Sequence, residues 1–144
     1  MRRFAEVVGQ KVMSAGSAEQ LGTVRGLVVD ATAGRIVSVR VKGADPDFCD
    51  WSELHGVGPD AVVASGAAAL RPARPGVEER EQAGDGGVLG KRALTDGGTE
   101  LGVIADIEFD ESSGALEAIV VGDDRIAADR LRSIGGYAAI IRAD

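Results

Sequence analysis

Short apolar runs, each followed by Gly, Asp, Ser or Thr, recur along the chain, a pattern typical of short β-strands separated by turns. Two of the polar interruptions, residues 30–34 and 110–114, begin with Asp and end with Gly between apolar runs. In such a turn the Asp side chain accepts backbone hydrogen bonds and Gly adopts a positive φ. The pattern therefore predicts an all-β fold in which Asp30 and Asp110 shape hairpin turns rather than catalyse a reaction.

The second half of the chain repeats the first. The matching segments are 9–14 with 90–95, 16–24 with 97–104, 27–36 with 107–116, and 54–63 with 131–140. Chance similarity between glycine-rich segments would not preserve both the order of the matches and their hydrophobic phase. The sequence therefore predicts an internal duplication.

Strand alternation fails at equivalent places in the two copies. Between the apolar positions 24 and 27, and between 104 and 107, the step is odd, and Gly26 and Asp106 occupy the break. A second odd step lies between 36 and 39 in one copy and between 116 and 119 in the other. These breaks predict β-bulges, which bend sheets that curl into small barrels.

A short helical turn is predicted late in each copy. Asp50 precedes Trp51, and Glu53 follows three residues after Asp50, as in a capping box. The matching segment in the second copy is 127–131, and a last strand follows in both copies, at 60–64 and 137–141.

The two copies are separated by residues 71–87, which contain prolines, glycines and a charged middle. This composition is typical of a linker. The run from Glu78 to Gln82 could form one helical turn, but a solvated, flexible connector is the favoured interpretation. The predicted domains are thus residues 1–70 and 88–144, joined by the linker.

Composition and charge narrow the functional classes. The 144 residues are 44% hydrophobic, which is enough for a folded core. The net charge is −7, and the whole excess lies in residues 73–144, because residues 1–72 carry equal numbers of basic and acidic side chains. This balance disfavours direct binding of nucleic acid through a broad basic surface.

The cysteine and histidine counts and the targeting signals narrow the possible sites and cellular locations. One Cys and one His supply neither an internal disulfide nor a zinc site with four ligands, so no metal or other cofactor is expected. The N-terminus does not read as a signal peptide, and no apolar run is long enough to span a membrane. We expect a cytoplasmic protein, and the excess of Arg over Lys together with abundant Ala and Gly indicates a GC-rich bacterial genome.

The repeated pattern resembles the PRC-barrel family. Four parts carry the resemblance: the opening, made of residues 9–12 and 20–24, the hairpin 27–37, the turn 51–54 and the closing segment 58–63. The second copy departs at two places, where Ala128 stands for Trp51 and Tyr137 for Asp60. The resemblance implies two small PRC-type β-barrels in tandem and an adaptor role, with no shared catalytic residues to carry over.

Candidate catalytic and metal-binding residues are few. Cys49 and His55 could form a nucleophilic pair, but the second copy has Ile126 and Arg132 there, and no Gly-rich oxyanion loop stands out. Clustered carboxylates at Asp45, Asp47 and Asp50 could attract a hard cation, but they lack the spacing of a calcium loop and are better explained as a solvated acidic loop. No phosphate-binding glycine loop follows a strand.

Five residues are candidate interface residues for a protein partner. Phe48 and Trp51 are large aromatic residues near the expected mouth of the first barrel, where burial in the core is favoured over a role as interface anchors. Arg125, Arg130 and Arg132 form a local basic group, for which dispersed solubilising charge is the favoured explanation.

The sequence thus predicts a non-enzymatic protein-interaction module that associates with further copies of itself or docks on a larger protein complex. The alternative is a ribosome-associated or RNA-processing factor that docks on a ribosomal protein. A small-molecule or metal-dependent enzyme is the third and least supported class. The identity of the protein partner is not encoded in these patterns.

Overall fold

The computed structural model describes residues 2–84 and 87–143, and most of its regular structure is β. Two short α-helices, α1 (Phe4–Val7) and α2 (Val77–Gln82), and three single 3₁₀ turns (Trp51–Glu53, Ala67–Ala69 and Ala128–Arg130) complete the fold. The strands are β1 (Arg2–Arg3), β2 (Lys11–Ser14), β3 (Gln20–Asp30), β4 (Arg35–Lys42), β5 (Phe48–Asp50), β6 (Leu54–Val57), β7 (Ala61–Ala64), β8 (Leu70–Arg71), β9 (Arg92–Thr95), β10 (Glu100–Phe109), β11 (Leu116–Val121), β12 (Asp124–Ala127), β13 (Leu131–Ile134) and β14 (Ala138–Ile141). The predicted all-β class with short helical turns is confirmed.

The strands form two sheets with the same internal order. The first sheet runs β6-β7-β2-β3-β4-β5-β8 and the second β13-β14-β9-β10-β11-β12, with β1 added beside β10. The pairing registers also agree: Lys11 pairs with Ala61 and Thr23 in the first sheet, as Arg92 pairs with Ala138 and Val103 in the second. Each half therefore has the same strand arrangement, as expected for an internal duplication.

The predicted turns and bulges lie where the local pattern placed them. The Asp30 carboxylate accepts the Ala33 amide at 3.1 Å, and the Asp110 carboxylate accepts the Ser112 amide at 2.8 Å. Register shifts follow Val24 in β3 and Ile104 in β10, at the odd steps of the alternation. In each hairpin a second shift falls at the other odd step, so both pairs of predicted bulges are confirmed.

The two hairpin turns meet each other across an approximate twofold axis. The Ile36 amide donates to the Gly114 carbonyl at 2.8 Å, and the Leu116 amide donates to the Gly34 carbonyl at 2.9 Å. Arg35 and Ala115 form an isolated antiparallel bridge between these bonds. Because 34 and 36 are the duplicates of 114 and 116, the two halves exchange identical hydrogen bonds, as in an isologous dimer interface.

Three aromatic side chains close the junction between the halves. Phe109 of the second half is fully buried, with its ring centroid 5.6 Å from that of Phe4 and 6.1 Å from that of Trp51, both in edge-on geometry. Gly114 makes this approach possible, because a Cβ there would lie 3.0 Å from the Trp51 ring. The apolar residues of both halves consequently belong to one continuous core.

The N-terminal segment crosses to the second half, although the predicted domain 1–70 grouped it with the first copy. Strand β1 pairs with Glu108 and Phe109 of β10, and the Ala5 amide donates to the Asp106 carboxylate at 3.1 Å. The bulge at Asp106 thus also holds the start of α1.

The connector between the copies is structured where it is described, contrary to the favoured interpretation of a solvated linker. Strand β8 pairs with β5, and α2 packs on β3 with Glu78 only 6% exposed. The helix comes so close that a Cβ on Gly26 would lie 2.6 Å from the Glu81 carboxylate. The charged composition of this run predicts exposure to solvent. Glu78 is buried because its side chain binds residues of distant strands, and these partners cannot be recognised from composition.

None of the helices in 2–84 and 87–143 is both long and apolar enough to cross a bilayer.

Candidate functional site

Two of the five candidate interface residues are buried inside the chain. Phe48 has no exposed surface, and Trp51 is 7% exposed because it packs against Phe109 at the junction of the halves. The favoured interpretation, burial in the core, is confirmed for both side chains, and their alternative role as surface anchors is corrected. The interface that Trp51 does serve is the internal one between the two copies.

The three arginines of the candidate basic group have intrachain partners. Arg125 binds the Glu108 carboxylate through Nε and Nη2, and Arg132 Nε donates to Asp96 at 2.8 Å. Arg130 Nε donates to the Arg142 carbonyl at 2.9 Å. The hydrogen bond from Arg125 lowers the pKa of Glu108 below its ordinary value. These arginines therefore do not form a concentrated field of unpaired positive charge.

Arg40 and two arginines of the connector pair with Asp47 and Asp50 of the acidic loop, whereas Asp45 is exposed. Arg40 Nε donates to Asp47 at 2.9 Å, while Asp50 accepts from Arg71 at 2.6 Å and from Arg74 at 3.0 Å. The Arg71 hydrogen bond is the main reason why the pKa of Asp50 is lowered. Asp50 consequently does not cap the turn at Trp51–Glu53, so the predicted capping box is wrong. Within the described part of the chain, no group of three metal-ligating side chains occurs.

A buried polar network fastens α2 to the first sheet. Glu78 accepts hydrogen bonds from Ser38 Oγ, Arg71 Nη1 and the Arg74 amide at 2.6–2.7 Å. Burial opposes ionisation, but these hydrogen bonds outweigh it and lower the pKa of Glu78. Arg40 adds a hydrogen bond to the Glu81 carbonyl at 3.0 Å. The network ties the connector to β4, β5 and β8.

The cysteine lies in the core of the first sheet. Burial, reinforced by the nearby charge of Asp50, raises the pKa of the Cys49 thiol to about 11. The thiol is completely inaccessible, and the nucleophilic form of cysteine is the thiolate. Cys49 is thus placed as an inert core residue, and His55 is exposed on β6.

Cys49 is expected to resist alkylation in the folded protein. At pH 8 we expect its reaction with a disulfide reagent such as dithionitrobenzoate to be slower than that of the unfolded chain by about a hundredfold or more, because both the thiolate fraction and access are reduced. The measurement is the absorbance of released thiolate with and without denaturant. Rapid labelling of the native protein would instead indicate an activated, accessible thiol.

An exposed patch on the second half was not predicted from the sequence. Tyr137 is 70% exposed and Val103 53% exposed, and Arg92 lies between them on β9. The Arg92 guanidinium stacks 5.6 Å from the centroid of the Tyr137 ring and donates to the Tyr137 hydroxyl at 3.2 Å. Glu100 pairs with the same guanidinium at 3.3 Å. We call Arg92, Val103 and Tyr137 the second-half patch.

The first half carries a different surface at the matching positions. Thr23 occupies the place of Val103, and Asp60 the place of Tyr137. Both positions are polar in the first copy and apolar or aromatic in the second copy. This difference between the copies is visible in the sequence and could have identified the patch. Tyr and Arg are the side chains that most often carry binding energy at protein interfaces.

A groove runs along the junction between the halves. It has a volume of about 560 Å³, and its lining residues are Trp51, Ser52, Leu54, His55, Gly56, Val57, Glu111 and Ser112. A smaller depression of about 250 Å³ adjoins it and shares Glu111 and Ser112, with Asp110 and Glu117 as its other lining residues.

The fold and these surfaces define an all-β protein with two sheets of the same strand order, an internal junction and an exposed patch. Residues 1–63 match the family model of the PRC-barrel domain, so the first half of the chain is similar to that domain. No curated protein matches the chain.

Proposed function

We propose that this chain is a non-enzymatic protein-interaction module built from two PRC-type barrels. The second barrel is inferred from the repeated strand order and register, which follow those of the half that matches the family. The shared core and the exchanged hydrogen bonds hold the two copies in one fixed arrangement. Such a unit presents two related but different surfaces to a larger protein complex or to further copies of itself.

The observation that carries this proposal is the second-half patch. Val103 and Tyr137 are each more than half exposed and lie on the two sides of Arg92, and a contiguous exposed patch of this kind is typical of an interaction site. Here they flank an arginine already held in place by Tyr137 and Glu100, so little side-chain freedom remains to be lost on binding. A preorganised patch that is present on the second copy and absent from the first is consistent with docking of a protein partner.

Replacing the exposed residues of the second-half patch by their counterparts from the first half should abolish docking without unfolding the protein. The double variant Val103→Thr/Tyr137→Asp places on the second half the side chains that the first half already tolerates at these positions. We expect binding to weaken by about a hundredfold or more, since each interface anchor contributes about 2 kcal/mol. The measurements are affinity capture from native lysate and sedimentation velocity of the purified protein.

Val8→Thr is the matched control, because Val8 is also exposed but lies outside the patch, after α1. This variant should retain the captured protein or the self-association seen with the original chain. If the double variant and the control behave alike in both measurements, the patch does not mediate docking and the proposal fails.

A second candidate, docking on a basic ribosomal protein, is favoured by the charge distribution. Residues 73–144 carry the entire net charge of −7, and complementary charge accelerates association with a basic partner. Capture of ribosomal proteins together with rRNA would select this candidate, whereas one dominant non-ribosomal partner would exclude it.

A further inference from the structure

Strand β6 is an edge strand with a groove beside it. It pairs with β7 on one side, and among the described residues no strand pairs with its other edge. Leu54, His55, Gly56 and Val57 all line the groove, although side chains of successive strand residues point to opposite faces. The groove therefore follows the backbone edge of β6 rather than one face of the sheet.

The lining of this groove combines a strand edge with an aromatic residue and a turn of the second half. We call Trp51, which is 7% exposed, the floor of the groove, and Glu111 and Ser112 its wall. Unpaired strand edges bind extended segments through main-chain hydrogen bonds, and neighbouring side chains then select the sequence. A four-residue edge with an aromatic floor provides both parts of such a site.

The wall of the groove selects positive charge. Asp110, Glu111 and Glu117 line the adjoining depression, and no cationic side chain is among its lining residues. Arg2 approaches Glu111 at 3.5 Å, but it is only 13% exposed and also donates to the Gly58 carbonyl. The exposed Arg35 also reaches this turn, where it donates to the Ser113 carbonyl at 3.0 Å, but it does not line the groove or the depression. Among the residues that line the two cavities, the charged side chains are therefore carboxylates, with His55 as the one titratable base.

The counterpart of β6 in the second sheet is the terminal strand β13, and the residues that correspond to the lining of the groove differ in chemistry. There Arg132 stands for His55, Ala31 for Glu111 and Val37 for Glu117. Asp30 is the duplicate of Asp110, and the exposed Asp129 occupies the place of Ser52, so the β13 side has carboxylates of its own but lacks those of Glu111 and Glu117.

We propose that the β6 edge binds an extended segment of a protein partner that carries a lysine or arginine, with its backbone paired to β6 and its cation against Glu111 and Glu117. This inference rests on the proposed function as an interaction module and names the chemistry of the partner. It involves a different surface from the second-half patch, so the two can be tested separately.

The test uses a synthetic peptide of about eight residues that alternates threonine and lysine, since alternate side chains of an extended strand share a face. Trp51 is the only tryptophan, so its fluorescence reports binding at the floor of the groove. We expect a saturable change in emission, and backbone NMR shifts concentrated in residues 54–57 and 110–117. The double variant Glu111→Gln/Glu117→Gln should weaken the peptide by about tenfold and reduce its salt dependence.

Three controls make the outcome decisive. Arg132→Gln changes the related edge and should leave the peptide Kd unaltered, and the Val103→Thr/Tyr137→Asp variant should do the same. A peptide alternating threonine and glutamate should bind at least about tenfold more weakly. Equal binding of the acidic peptide, NMR shifts centred on residues 131–134, or no saturation would overturn the proposal.

Self-association of the protein through β6 is a further outcome that would contradict the proposal of peptide binding at this edge. In that case Trp51 emission would depend on protein concentration without peptide, and sedimentation would show a dimer. Failure of the peptide alone, with capture still lost in the second-half patch variant, would reject the groove while leaving the interaction module in place.

Discussion

Replacing Phe109 by alanine is expected to lower the free energy of unfolding by about 3–5 kcal/mol, the usual cost of removing a large buried aromatic side chain. Phe109 has no exposed surface and contacts both Phe4 and Trp51, which come from two separate segments of the first half. The cavity would therefore open at the junction, where both halves lose contacts.

Urea unfolding followed by circular dichroism and by Trp51 fluorescence measures this effect. Because the halves share a core, we expect one coincident transition for both probes, shifted to lower urea in the variant. Val29→Ala is the matched control, since Val29 is the buried duplicate of Phe109, and its loss should be about 1–2 kcal/mol for two buried carbons. An equal loss in both variants, or two separate transitions, would show that the junction does not couple the halves.

Features set by neighbouring residues could be predicted from the sequence. The hairpin turns depend on an Asp that accepts nearby amides and a Gly four residues later with positive φ, and both turns contain them. The bulges depend on one odd step in the alternation, which is visible within a window of four residues. Such signals are local, so no knowledge of the tertiary structure is needed to recognise them.

The junction between the copies could not be predicted in the same way. Each half has an apolar pattern that indicates an inward face, but the pattern does not say which edge or turn meets the other half. Gly34 and Gly114 look like ordinary turn glycines, and only the structure shows that their carbonyls accept amides across the axis. Phe4 lies before the first repeated segment, so the repeat provides no duplicate that indicates its place.

The connector was misread for a related reason. Glu78 lies in a run of charged residues, and such runs are normally exposed. The cost of burying its charge is offset by Arg71, seven residues away, and by Ser38, forty residues away, so its environment is a property of the tertiary structure.

The second-half patch could have been found from the sequence, because comparison of the copies already shows Tyr137 in the place of Asp60.

Replacing Arg71 by alanine is expected to destabilise the protein by about 3 kcal/mol, because it leaves the buried Glu78 carboxylate without its cation, while Asp50 keeps its pair with Arg74. Arg71 holds Glu78 and Asp50 at 2.6 Å each and is itself largely buried, with 18% of its side chain exposed. Its loss should release α2 from the first sheet. Hydrogen exchange of the 77–82 amides, together with urea unfolding at pH 7, measures both effects.

Arg74→Ala is the matched control for Arg71→Ala, because Arg74 also pairs with Asp50 but its side chain is 62% exposed, so it should cost less than about 1 kcal/mol. The pH dependence provides a second check. Glu78 and Asp50 have lowered pKa values in the folded protein, so their stabilisation is present above their ordinary pKa of about 4 and is lost as the pH falls through the lowered values. The stability gap between the original chain and the Arg71 variant should therefore be largest near neutral pH and shrink in acid. A gap that is constant with pH would mean that Arg71 contributes through packing of its side chain rather than through its charge.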